Sequence, residues 1–290
     1  MRRLRLPSLV LATLICLAPH GPVRGADHGD SPLLEGVARH DARLTDLLVF
    51  TAGDNIVLAL CTNPAVPPGV TTYRFAEDLT LRFHIDTDSP VSFADPQAVR
   101  EFGGTLLDPA GISEDIGLEF SFDADGQARM DLRGLLRSDA AAIRVFTGLR
   151  DDPFIRGPRI GRNVAAVVVE MPLSLVLGAQ STILVWATSK VPEVKGPISE
   201  HAGRALLSMF PRYDLFNTTS PRNHFRQLGE RPDVVIFDTS LPASFPNGRV
   251  PQDDVVDLTN IESLLLTDSP WPSANDVPLP AEFPWLAPPQ

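Results

Sequence analysis

Carboxylates and one imidazole recur in this chain at spacings that bring them together. In His84-x-Asp86-x-Asp88 the period is two, so in an extended segment all three side chains leave one face, and Asp95 can return from the following loop. Oxygen ligands so arranged suit a hard divalent cation such as calcium, which takes roughly 6–8 oxygens at about 2.3–2.6 Å. Ser89-Pro90 follows where an EF-type loop needs another ligand and a glycine, so that loop type is excluded. The other reading is a solvated polar face that ends in a turn.

A second constellation is Gly148-Leu149-Arg150-Asp151-Asp152-Pro153-Phe154. Pro153 disfavours helical geometry at Asp152, so the two neighbouring carboxylates diverge rather than chelate as a pair. Either one of them pairs with Arg150 while the other accepts loop N–H groups, or the segment is an acidic ligand site or a general acid/base. A third is Pro246-Asn247-Gly248-Arg249, followed by Asp253, Asp254 and Asp257. Asn-Gly signals a tight turn and the aspartates suit a helix start; alternatively, Arg249 folds back on an aspartate and orders a site. A fourth depends on processing after Gly25, which would expose Ala26-Asp27-His28. An α-amine, two amides and a third-position imidazole form the square plane that Cu²⁺ or Ni²⁺ favours.

The elements that must hold these residues are mainly strands. Leu47 to Thr51 and Ile56 to Thr62 flank a Gly-Asp-Asn turn and read as a hairpin of buried strands. Leu79, Leu81, Phe83 and Ile85 alternate with Thr80, Arg82, His84 and Asp86, the pattern of a half-buried strand, and Leu118, Phe120 and Phe122 repeat it. Further strands are expected at 143–149, 164–170 and 182–188, from their β-branched residues. Helices should be short: one or two turns between Pro172 and Gly178, a second from Ser199 to Phe210, and a third starting at Asp253 or Asp254. The expected fold is a mainly β, single-domain antiparallel sandwich over 26–268, with an extended proline-rich tail over 269–290. Trp271, Phe283 and Trp285 either pin that tail across the domain or present it to a partner.

Residues 1–25 read as a secretory signal, with Arg2, Arg3 and Arg5, an apolar stretch from Leu9 to Ala18, and Val23-Arg24-Gly25 as cleavage site. The expected location is therefore secreted or periplasmic. Removing the leader takes four of the 25 basic residues, leaving 21 against 36 acidic ones and a net charge of −15. Such a field repels phosphate backbones, which argues against nucleic acid and favours a metal ion as partner. No later segment reaches the roughly 18–20 apolar residues of a transmembrane helix. Cys61 alone stays in the mature chain and sits in an apolar run, so it reads as a buried, inert thiol. The common hydrolase, zincin and nucleotide-binding motifs are absent, and no two of His28, His40, His84, His201 and His224 share a helical i, i+4 spacing.

Several segments together resemble the bacterial secreted family called domain of unknown function 4331. They are Asp27-His28-Gly-Asp30-Ser-Pro32, Thr45-Asp46-Leu-Leu-Val-Phe50, Asn63-Pro64, Asp86-Thr-Asp88, Gly148 to Phe154, Trp186-Ala-Thr188, and Phe245-Pro-Asn247-Gly248-Arg249 with Asp253-Asp254-Val-Val-Asp257. The resemblance implies export and assigns no activity. The functional expectation is a non-enzymatic binding or structural protein with a divalent-cation site drawn from His84, Asp86, Asp88, Asp151 and Asp152; the protein partner is unknown. The competing expectation is a metal-assisted hydrolase with His84 or Asp152 as base, which requires both to share one concave pocket.

Overall fold

The computed structural model describes residues 32–67, 69–153, 161–206, 211–258 and 272–290, without the side chains of 211–214. The leader, His28, Asp30, Trp271 and residues 259–271 lie outside them.

Two antiparallel sheets carry the fold. The first has β1 (Leu44–Ala52), β2 (Asn55–Thr62), β8 (Arg144–Asp151) and β9 (Asn163–Pro172) in the order β1-β2-β9-β8. The second has β3 (Thr80–Asp86), β6 (Ile116–Phe122), β7 (Ala128–Arg133), β10 (Thr182–Lys190) and β11 (Glu200–Ala202) in the order β11-β10-β3-β6-β7. Strand β12 (Val235–Asp238) shares the β10 edge with β11, end to end. Between β3 and β6 the chain makes an excursion through β4 (Val91–Ser92), helix α2 (Pro96–Phe102) and β5 (Thr105–Leu106). Helices α1 (Pro32–Gly36), α3 (Pro221–Leu228) and α4 (Val255–Leu258) are short.

The sheets face each other across one core. Leu47, Val49, Leu58 and Val167 from the first meet Phe83, Ile85, Phe120 and Val185 from the second, all of them buried. The period-two alternation in β3 exists because only its Leu81-Phe83-Ile85 face enters this core. Each such side chain contributes roughly 1.5–3 kcal/mol on burial. The first sheet is different, because it is apolar on both faces. Leu48, Phe50, Val57, Ala59, Cys61, Val164, Ala166 and Val168 form a second cluster on its outer side, closed by Leu286 of the tail. That double burial is why β1, β2 and β9 read in sequence as unbroken apolar runs.

The tail is pinned to its own domain. Phe283 and Trp285 pack on the outer cluster, the Trp285 indole N–H donates to Glu170 (2.8 Å), and Arg144 lies 4.3 Å over the Phe283 ring. One helix expectation is corrected: residues 200–202 of the expected Ser199–Phe210 helix form β11, because they complete the β10 edge, and 207–210 lie outside the described residues. The Pro172–Gly178 bracket holds a single 3-10 turn at Leu173–Leu175, within the one or two turns expected.

Candidate functional site

The end of β3 gathers three carboxylates. Asp86, Asp88 and Asp115 each place a ligand oxygen within 4.8 Å of the others. Asp86 is fully buried; its Oδ1 accepts the N–H of Asp88 (3.2 Å) and Ser89 (2.8 Å), and its Oδ2 accepts the Ser89 hydroxyl (2.7 Å) and the Ser113 N–H (2.9 Å). Asp115 arrives where the excursion ends: its N–H donates to the Ile85 carbonyl (2.9 Å), and its Oδ2 accepts both the N–H and the hydroxyl of Thr87 (2.7 and 2.9 Å). Asp88 is exposed and held beside both. The charges of Asp115 and then Asp86 push its carboxyl above the usual range. No basic side chain pairs with any of the three among the described residues. Asp115 escaped the sequence reading because nothing local says that the chain returns there. Asp95 stays apart and caps α2 through the Gln97 N–H (2.9 Å).

His84 belongs to a different group. It stands on the outer face of the second sheet, stacked on Trp186 at 5.0 Å and 2°. Its Nδ1 meets Glu114 and its Nε2 meets the Thr188 hydroxyl (2.8 Å). Arg82 bridges Glu114 and Glu119. Opposite His84, Gly117 leaves the room, since a Cβ there would stand 2.7 Å from the Arg82 and Glu114 side-chain ends. Burial pushes the imidazole down against the pull of Glu114. Burial also opposes the Glu114 charge, but hydrogen bonds from His84 and Arg82 override it and hold the carboxyl at about 2. The neutral ring thus donates from Nδ1 and accepts the Thr188 proton at Nε2. This is a proton-relay geometry in an open groove of about 460 Å³ that also reaches Arg133 and Lys190. Thr188, however, lies mid-strand between β3 and β11, so the backbone amides around it are used in the ladders rather than offered to an oxyanion.

Asp151 and Asp152 do not join either group. Asp151 pairs with Asn163 at the start of β9, an end the sheets share with Leu44, whose N–H donates to Glu200 beside Ser189 at the far end of β10. Asp86 faces Leu184, near the start of β10. The expected convergence of Asp86 and Asp88 with Asp151 and Asp152 is therefore corrected: strand register puts the two pairs at opposite ends of the sandwich. The hydrolase reading needed His84 and Asp152 in one pocket; among the described residues the groove at His84 is lined by Arg82, Glu114, Glu119 and Thr188 and not by Asp152, which is buried just past β8. Asp151 is buried by the tail, accepting from Gln290 and Asn275 (both 2.7 Å). Burial pushes its carboxyl up to about 6, against those hydrogen bonds and with help from the charges of Asp276 and Asp152. Arg150 pairs with no aspartate among the described residues; it lies 3.7 Å over the Phe146 ring and donates to the Leu149 carbonyl.

Arg249 does fold back on an aspartate. Its Nη2 donates to Asp46 (3.0 Å), with both residues buried. A register shift between Leu44 and Asp46 sets Asp46 opposite Cys61, and the edge of β1 accepts Arg249 through Val49. Gly248, at φ +70°, is required here because a Cβ would stand 2.5 Å from the Val49 carbonyl oxygen. Asn247 locks the turn through Asp238 and Pro242. Asp253 accepts from Ser244, Phe245 and Val250, and Asp254 from the Asp257 N–H at the start of α4. These aspartates organise loops.

Spacing along the chain pairs no histidines, yet the fold sets His201 and His224 edge to face at 5.3 Å. His224 Nδ1 accepts the Asp233 N–H (3.0 Å) and its Nε2 donates to the Thr219 carbonyl (2.7 Å), so the ring is neutral. Burial holds it at about 4 against the Thr219 bond. No helix of the described residues is long and apolar enough to cross a membrane. Comparison of the chain with protein-family models, curated proteins and solved structures finds no match.

Proposed function

We propose that this chain is an exported, non-enzymatic binding protein in which the loop after β3 takes a divalent cation such as calcium. The observation that carries this reading is the trio Asp86, Asp88 and Asp115, whose oxygens lie within 4.8 Å of one another without a basic partner among the described residues. Mutual repulsion at that distance calls for a cation. Affinity should be low. Both Asp86 oxygens already accept two hydrogen bonds each, which leaves Asp88 and Asp115 Oδ1 as the principal ligands and water to complete the shell. A value around 10⁻⁴–10⁻³ M is the range for such open sites.

Export is supported by the basic start and apolar stretch of residues 1–25, and the resemblance to domain of unknown function 4331 is part of the same reading. Acidity disfavours nucleic acid as a partner. At a Kd of about 1 mM, 10 mM calcium stabilises the fold by about 1.4 kcal/mol, or roughly 3–5 °C in a domain of this size. Thermal melts of the full chain in calcium and in chelator, at matched ionic strength, should differ by that amount. Asp88→Asn should melt higher than the parent in chelator and gain little from calcium. Superimposable melts of the parent protein would remove the proposal.

A further inference from the structure

Under helix α2 and the β4–β5 ribbon, against β12, lies a cavity of about 260 Å³ that shares no residue with the carboxylate trio or the His84 groove. Its wall is apolar, built from Phe102, Leu106, Val234 and Ile236, with Phe225 exposed beside it on α3. Two guanidinium groups line it as well. Arg231 is exposed and lies 4.3 Å over the Phe102 ring. Arg204 is only 7% exposed and sits between the rings of Phe102 and Phe245, at 4.9 and 5.0 Å.

The hydrogen bonding of Arg204 is incomplete. Its Nη2 donates to the Glu101 carbonyl, while Nε and Nη1 are closed to water and find no acceptor among the described residues. Asp233, the nearby buried carboxylate, accepts the backbone N–H of Arg204 (2.7 Å) instead of its side chain. Among the described residues no carboxylate forms an ion pair with this guanidinium. Buried arginines are ordinarily paired, and their planar fork matches a carboxylate through two parallel N–H···O bonds. An apolar wall with a few convergent donors is also the usual make-up of a small-molecule site. A cavity of about 150 Å³ accepts benzene, so this one has room for a ring or short chain together with its charged head.

We propose that the cavity binds a small carboxylate with an apolar ring or chain, its head on the exposed Arg231 with the charge of the buried Arg204 behind it, and its body against Phe102, Val234 and Ile236. On a molecule of net charge −11, the ligand's charge is accepted only because these two cations act locally. The site is independent of the cation reading, and either can fail alone.

Phenylacetate and its neutral analogue phenylacetamide, with hexanoate and hexanamide as the chain-like pair, test this by calorimetric titration into the full-length protein. At least one acid should bind about 10-fold more tightly than its amide, as expected for one gained charge-assisted contact. Arg231→Met, at an exposed position, should weaken that acid several-fold and leave the amide unchanged. Arg204→Met should reduce the preference as well, while retained binding of the amide shows that the cavity is still built; a merely structural arginine would lose acid and amide together. If neither pair binds, if acid and amide bind equally, or if the preference survives Arg231→Met, the proposal is wrong, and Arg231→Met decides the matter even where Arg204→Met does not fold.

Discussion

The two most informative titrating residues pull in opposite directions. Asp151, raised to about 6, binds a proton more tightly folded than unfolded. The stability it contributes is therefore complete below its unfolded value near 4 and is lost as pH rises through about 6. His224, lowered to about 4, contributes stability above its unfolded value near 6.5 that is lost as pH falls toward 4. Replacing Asp151 with Asn removes the titration together with one of the two acceptors that Gln290 and Asn275 use. The melting temperature of Asp151→Asn relative to the parent should therefore rise as pH goes from about 5 through about 6 to about 7.5; a difference that is constant with pH would show that the carboxyl does not titrate differently in the folded and unfolded chain. Residues of this kind were only partly legible in the sequence. Asp-Asp-Pro-Phe marked the position, but Asn275 and Gln290, whose donors meet the buried carboxyl, are tail residues that no local pattern connects to it. His84 was legible as a polar residue on a strand face, whereas its partner Glu114 lies beyond an excursion that the sequence does not measure.

Among the elements, strands were read well where the apolar period was clear, as in β3 and β6, and where continuous apolar runs met turn signals, as in β1, β2 and β9. Strand β11 was mistaken for helix because three residues pairing on an edge carry no period of their own. Helices α2 and α3 went unread although each has the start and stop that were credited to Pro172–Gly178: Asp95-Pro96 with Gly103, and Ser220-Pro221 with Gly229. The signal was present; what decides its length is whether the intervening residues have a surface to pack on. The tail behaves as an element too, without regular structure of its own. Leu286 is 1% exposed in the outer cluster, so Leu286→Ala should cost about 2–5 kcal/mol, checked by denaturant unfolding. A loss below about 0.5 kcal/mol would mean that the tail rests on the sheet without stabilising it.

For the whole molecule, charge and burial set different sensitivities. Thirty-six acidic residues against 25 basic ones give an excess negative charge that disfavours compactness, and salt screens it, the Debye length falling from about 10 Å at 0.1 M to about 3 Å at 1 M. Melting temperature should therefore rise between low and high sodium chloride at fixed pH, while the buried Arg249–Asp46 pair is scarcely touched. A fall would show that surface ion pairs such as Arg39 with Asp41, Asp78 and Glu193 outweigh the repulsion. A sandwich was predictable from two kinds of strand, but not that the smaller sheet would be sealed on its far side by residues 283–287. That arrangement fixes an order of events during synthesis. Strands β1, β2 and β9 emerge, from a ribosome or a translocation pore, before residues 283–287, so the emerging chain presents a greasy sheet surface until that segment folds back, and over that interval it is at its greatest need of a chaperone.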